Sequence, residues 1–230
     1  MVQRSVAVVT GAGRGIGQAV AHRLSGRHTV LAVSRTASEL AATAAGHSTI
    51  MTHVADIAEP GAVPAILDAA LAMGRLAVWV NNAATLEVVP LIDLDDDTWR
   101  RTMAVNLDAA FAGCRGALGA MAAAGGGVII NVASLSGVAS VEKFPGLAAY
   151  NVSKAGLIAL TEAVALEGRE AGVRCIALSP GAVDTDLLRR AAPHLNPGMT
   201  PDDVAAIVEF LVSDAAAPLS GVNIPIFSNR

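Results

Sequence analysis

Tyr150-Asn151-Val152-Ser153-Lys154 sets a phenol and an ammonium four residues apart. On a helix those positions share a face, close enough to interact. A free tyrosine titrates near pH ~10, too high for acid–base work at neutral pH. A neighbouring ammonium favours the phenolate and lowers that value, which makes the pair a candidate proton-transfer couple. Spacing alone favours a plainer account, a ring packed at a helix start beside a solvated lysine, because such pairs are common on helices. Ser134, in Asn131-Val132-Ala133-Ser134, could donate its hydroxyl to a substrate oxygen or be an ordinary loop serine. Asn106 interrupts an apolar helix face, where an unsatisfied amide would be costly.

Near the start, Thr10-Gly11-Ala12-Gly13-Arg14-Gly15-Ile16-Gly17 carries glycines at 11, 15 and 17 with the spacing GxxxGxG. No frame of this segment fits the GxGxxG dinucleotide fingerprint. The physics is the same: glycines let the backbone approach a pyrophosphate, and the next helix offers it N-terminal N–H groups. A plain glycine-rich turn is the alternative. The position between the first strand and a helix favours phosphate binding.

The elements that must position these residues alternate along the chain. Strand-length apolar runs fall at 5–9, 29–33, 49–54, 76–80, 128–132, 174–178 and 222–226. Helical periodicity fills segments such as 15–24, 98–121, 148–170 and 201–212. Strands apolar on both faces and separated by helices predict a parallel sheet covered on two sides. Thr36 with Glu39 predicts a capping box, and Thr200, Pro201 and Asp203 predict a cap, a first-turn proline and a first-turn acid. No linker, repeat or low-complexity tract interrupts the pattern. Residues 1–230 are expected to form one α/β domain with a doubly wound, seven-stranded parallel sheet. Its ligand then lies at the carboxyl ends of the strands. Asn81, Asn82 and Ser134 all fall at that edge.

Composition narrows the partners. The formal net charge is −4 with no basic stripe, which argues against nucleic acid. Cys114 and Cys175 are isolated, with no CxxC or Cys/His cluster, so neither a disulfide framework nor a metal site is expected. A reducing cytoplasm is the expected compartment. Met1 to Arg4 leads almost directly into a strand, so no targeting segment is expected. The uncharged stretch 116–140 is broken by Gly125-Gly126-Gly127 and reads as helix–turn–strand rather than a membrane span.

Taken in order, the loop Thr10-Gly11…Gly15-Ile16-Gly17, Asn81-Asn82-Ala83, Asn106, Ser134, Tyr150…Lys154 and Ser179-Pro180-Gly181 resemble the short-chain dehydrogenase/reductase family over nearly the whole chain. The resemblance implies a Rossmann-like fold and an oxidoreductase interconverting a carbonyl and an alcohol. It implies that Tyr150 is the general acid in reduction and the base in oxidation. Lys154 would lower its pKa and hold the nicotinamide ribose, Ser134 would polarise the substrate oxygen, and Asn106 would anchor a water in the proton relay. Gly11, Gly13, Arg14, Gly15, Ile16 and Gly17 would cradle the cofactor phosphates. Asn82 and Ala83 would line a cofactor ribose. Asp56, followed by Ile57, would bind the adenine amino group. Pro180 and Gly181 would lead to Val183 and Thr185 at the nicotinamide carboxamide.

An NAD site of this kind usually ends strand two in an acid that bonds the adenosine ribose. Here the strand ends in Ser34-Arg35-Thr36. Arg35, with Arg14 in reach, predicts a 2′-phosphate partner, hence NADP(H) over NAD(H). A solvated Arg35 with NAD bound is the alternative. Expected pocket walls are Leu86, Leu135, Val138, Phe144, Ala182 and Leu187 under a short lid over 186–199, for a small or moderately apolar ketone, aldehyde or secondary alcohol. Arg189 and Arg190 on that lid read as a solvated face, or as partners of an acidic substrate tail. Ala84 stands where the family usually has glycine, and the ending Pro225-Ile226-Phe227-Ser228-Asn229-Arg230 departs from the family's acidic, glycine-rich one. A homodimer or homotetramer pairing through the long helices is expected. Three readings follow: an NADP(H)-dependent carbonyl reductase, with a 3-oxoacyl substrate as one option; an NAD(H)-dependent alcohol dehydrogenase; and a catalytically idle dinucleotide sensor or scaffold. Retention of Tyr150, Lys154 and Ser134 speaks against the last.

Overall fold

The structure, a computed structural model, describes residues 4–227. Seven strands form one sheet: β1 (Val6–Thr10), β2 (Thr29–Ser34), β3 (Ile50–Val54), β4 (Leu76–Asn81), β5 (Gly127–Val132), β6 (Val173–Pro180) and β7 (Val222–Ile226). Their order is β3-β2-β1-β4-β5-β6-β7, and every pairing is parallel. β1 and β4 are buried at every position, as continuous apolar runs in the middle of a covered sheet should be. β3 and β7 are edge strands, and there the apolar pattern does not secure burial: Met51, Val54 and Val222 are exposed.

Alternate strand residues feed two cores. One holds Val9, Ala32, Ile130 and Leu178 against α1 (Gly15–Leu24), α2 (Ala37–Ala44) and α8 (Pro201–Val212). The other holds Val8, Val33, Trp79 and Ile129 against α3 (Ala62–Met73), α5 (Ala109–Ala123) and α6 (Ala148–Gly168). The chain leaves β1 toward β2 on one side and reaches β4 on the other. That reversal opens a crevice at the carboxyl ends of the strands. A buried polar chain fixes α6 on the sheet. Trp79 Nε1 donates to Asn81 Oδ1 at 2.7 Å, Asn81 Nδ2 to Asn131 Oδ1 at 2.8 Å, and Asn131 Nδ2 to Thr161 Oγ1 at 2.9 Å. Each amide is paid for by a partner, so burial costs little.

Two local expectations change. The helix expected over 98–121 is α4 (Asp96–Met103), a π-helical turn Ala104–Asp108 and α5. The wider turn surrounds Asn106, as such turns often do at functional sites. At α2, the Thr36 side chain makes no capping bond. Its expected partner Glu39 instead holds Arg14 at 3.2 Å, and a full ion pair outcompetes a neutral cap. The cap expected at Thr200 forms, and Asp203 completes it as a capping box: Asp203 N donates to Thr200 Oγ1, and Thr200 N to Asp203 Oδ2.

Candidate active site

One continuous cleft of about 1420 Å³ runs along the carboxyl edge. It begins at the glycine loop. Asn82 Nδ2 donates to the carbonyls of Thr10 and Gly11, and Thr10 Oγ1 accepts the amides of Asn82 and Ala83. The β1 and β4 ends are thereby tied together. Gly17 allows this closure, because a Cβ there would lie 2.2 Å from the Gly11 carbonyl oxygen and 2.5 Å from Asn82 Nδ2. Arg14 precedes α1 in extended conformation and gives it no side-chain cap, and the first turn holds no acid. Its first amides, from Gly15 to Gly17, border the cleft and suit an anion.

At one end stand Ser34, Arg35, Thr36, Asp56 and Ile57. Both arginines expected at a 2′-phosphate face carboxylates. Arg14 meets Glu39 at 3.2 Å and Asp186 at 3.9 Å, and Arg35 meets Asp56 at 3.8 Å. Arg101, from α4, donates to Asp56 Oδ2 at 2.7 Å. Burial raises the Asp56 carboxyl; the Arg101 and Ala58 hydrogen bonds and the charges of Arg101 and Arg35 outweigh it and hold it below its ordinary value.

At the other end, Tyr150 and Lys154 are buried in the first turns of α6. Ser134, which follows β5, lines the cleft beside Tyr150, near enough to favour its phenolate. Burial raises the Tyr150 pKa, and Ser134 only tempers the rise. The Lys154 ammonium donates to the Val132 carbonyl at 2.7 Å and stands over the ring face, 5.7 Å from its centroid. Burial lowers Lys154 itself to about 8. A neutral phenol beside a weakly held ammonium can give up a proton across the neutral range.

Asn106 is buried and stands behind the cleft. Its Oδ1 accepts Thr85 N at 2.8 Å, and its Nδ2 donates to Thr85 O at 2.9 Å and Ser153 Oγ at 3.1 Å. Ser153 passes the link to the Tyr150 carbonyl at 2.8 Å. The amide thus joins the 84–88 loop to α6. Pro180, Gly181, Val183 and Thr185 lie on the cleft, under α7 (Asp186–Ala191). Of the expected walls, Leu86, Leu135, Phe144, Ala182 and Leu187 line it, while Val138 does not. The Val138 carbonyl accepts from Lys143 Nζ, as do those of Leu135 and Ser136, which curls the loop away. Every other expected site residue borders the cleft.

Sequence reasoning missed Arg101, Glu39 and Phe227, all on the cleft. Phe227 belongs to the atypical C-terminal run, whose last three residues lie outside the described ones. Only its apolar size could have marked it. Arg189 pairs with Asp184 and Asp186, and Arg190 Nε donates to the Asp186 carbonyl. Among the described residues no cluster of three metal-ligating side chains occurs, and no helix is long and apolar enough to cross a membrane.

This arrangement has well-known counterparts. A family model described as short chain dehydrogenase matches residues 5–196. Galactitol 2-dehydrogenase (L-tagatose-forming) of Cereibacter sphaeroides is 36 % identical over 94 % of this chain and 90 % of its own. Cyclohexanol dehydrogenase of Acinetobacter sp. (strain SE19) is 34 % identical over the same shares, 94 % and 90 %. A solved structure described as an NAD(P)-dependent gluconate 5-dehydrogenase from Beutenbergia cavernae, with NADP bound at low occupancy, superposes with a TM-score of 0.87. It is 33 % identical and the match covers 97 % of this chain and 95 % of that one. With a matched family model over most of the chain and a cleft that joins a glycine loop to Tyr150, Lys154 and Ser134, the chain belongs to the short-chain dehydrogenase family and is an NAD(P)-dependent oxidoreductase acting on CH–OH groups.

Proposed function

We propose that this enzyme is an NADP(H)-dependent carbonyl reductase that interconverts a small or moderately apolar ketone and its secondary alcohol. The observation that carries the reading is that Tyr150, Ser134 and Lys154 line one end of a cleft whose far end holds Arg14 and Arg35. The dinucleotide, when bound, supplies or accepts the hydride at its nicotinamide. Ser134 holds the substrate oxygen, and Tyr150 gives it a proton in reduction or takes one in oxidation. Lys154, fixed by the Val132 carbonyl on the cleft wall, would hold the nicotinamide ribose through its ammonium. Asn106 acts through Thr85 and Ser153 by fixing the start of α6. Val183 and Thr185 would border the nicotinamide, Asn82 and Ala83 its ribose, and Asp56 the adenine.

The walls Leu86, Leu135, Phe144, Leu187 and Phe227 favour an alicyclic or otherwise apolar substrate, of the kind named for the Acinetobacter relative, over a polyol. Segment 186–199 serves as the lid, carried by α7 and anchored where Asp184 N donates to Met199 O at 2.8 Å. Two free, buried thiols fit a reducing cytoplasm. A homo-oligomer paired through the long helices fits the apolar residues exposed on them.

The carboxylates beside Arg14 and Arg35 support a second reading, NAD(H) as cofactor, since they oppose a 2′-phosphate. Cyclohexanone reduction with NADPH and with NADH separates the two. The expected result is a KM at least about tenfold lower for NADPH; equal or lower KM for NADH removes the NADP(H) reading. Tyr150→Phe should lower kcat by about 10²–10⁴-fold with dinucleotide affinity unchanged, and wild-type turnover in that variant would overturn the mechanism.

A further inference from the structure

At the adenosine end of the cleft two guanidiniums, those of Arg101 and Arg35, compete for one oxygen of Asp56. Asp56 Oδ1 is occupied by the Ala58 amide at 3.0 Å. Asp56 Oδ2 takes the hydrogen bond from Arg101 Nη2 at 2.7 Å, while Arg35 Nη1 stands off at 3.8 Å, beyond hydrogen-bond distance. Arg35 is the most exposed of the three, at 65 % of its side chain against 39 % for Arg101 and 26 % for Asp56. Arg101 thus holds the carboxylate by a hydrogen bond, and Arg35 keeps only a looser, more exposed ion pair with it.

This division has a consequence for cofactor choice. A guanidinium that already grips a carboxylate has fewer donors for a phosphate. Asp56 sits after β3, next to the β2 end that carries Arg35, so it is the natural competitor for it. We infer that Arg101 is a positioning residue for cofactor specificity: by occupying Asp56 Oδ2, it keeps Arg35 free to take the 2′-phosphate of NADP(H). The inference rests on the NADP(H) reading above. Without Arg101, Asp56 draws Arg35 in, and the discrimination against NAD(H) falls although no residue at the phosphate has changed. The α4 helix, otherwise remote from the dinucleotide, thereby sets which one binds.

Fluorescence titration of NADPH and NADH, without turnover, tests this in the wild type, Arg101→Gln, Arg35→Gln and the double variant, with folding checked by thermal melting. The quantity read is Kd for NADH over Kd for NADPH. Arg101→Gln is expected to lower the ratio at least about fivefold, and Arg101→Lys to restore part of it. In the Arg35→Gln background, Arg101→Gln should change the ratio by less than about twofold, because the residue it acts through is gone. An unchanged ratio in Arg101→Gln overturns the inference. So does an equal fall in both backgrounds, which would mean a general loss of positive field. A wild-type ratio at or below one instead removes the NADP(H) reading, and the coupling between Arg101 and Arg35 is still read from the same four proteins.

Discussion

The chemistry of the site turns on how burial treats two protons. Tyr150 keeps its proton more tightly than a free phenol, since a buried phenolate loses hydration and gains only the neighbouring Ser134 hydroxyl. Lys154 is the opposite case: burial favours its neutral amine and brings its pKa from 10.5 down to about 8. The cost falls on the folded state. Below pH ~8 the folded protein carries an ammonium it would rather release, and between pH ~8 and ~10.5 the unfolded chain binds the extra proton. Stability from this group therefore rises with pH across that window. Lys154→Met should remove the penalty while leaving the Val132 carbonyl without its donor, which offsets part of the gain. The expected net effect is a Tm higher by about 2–4 °C at pH 7, shrinking or vanishing near pH ~9.5, with turnover lost. Melting both proteins at the two pH values checks it. A variant less stable than wild type at pH 7, or a gap that does not change with pH, would show that the buried ammonium is not the source.

At the scale of elements, the site depends on how closely the loop after β5 lies on α6. Gly137 is the contact. A Cβ there would come within 2.5 Å of the Lys154 carbonyl carbon, 2.7 Å of Ala155 N and 2.8 Å of Lys154 O, all backbone atoms that cannot swing aside. Gly137→Ala should lift the loop and draw Ser134 away from Tyr150. A loss of about 1–3 kcal/mol is expected from the overpacking, with kcat down by about 10²-fold from the misplaced hydroxyl. Chemical denaturation and steady-state reduction of cyclohexanone measure both, and wild-type values for each would refute the account. None of this closeness is visible in Ser136-Gly137-Val138. What the residues did make legible is whatever local physics decides: apolar strands, the Thr200 cap, and the glycine loop before α1. The remainder depends on partners distant in the chain. The π turn at Asn106 answers to Thr85, 21 residues away, and Arg101 meets Asp56 across 45. The Thr36 box was lost to Arg14, 25 residues before Glu39. No window of helical or strand length contains those pairs, so periodicity and capping rules could not register them.

At the scale of the whole molecule, the outer face of α6 carries apolar side chains into solvent. Along α6, Val152, Ala155, Ala159, Ala163 and Leu166 are all exposed, at spacings of three and four that place them on one stripe. Their neighbours on the buried side, such as Leu157, Thr161 and Val164, hold the sheet, so the stripe is not needed for the fold of one chain. Phe111 on α5 is also exposed, with Arg115 over its ring. A stripe of small apolar residues lets another helix approach closely, and a second copy of the same helix crossing near Ala159 is the simplest complement, because a two-fold contact matches the patch with itself. The homo-oligomer proposed above then has a specific seam. Light scattering on a sizing column should give the wild type a mass at least twice the 23.2 kDa of one chain. Ala159→Arg puts two like charges at the centre of the seam, which an exposed position in a single chain would tolerate. It should yield the single-chain mass with the secondary structure intact and the Tm lowered by the lost association. An Ala159→Arg protein that keeps the wild-type mass would move the seam elsewhere, and a monomeric wild type would leave the α6 stripe without the partner that its composition calls for.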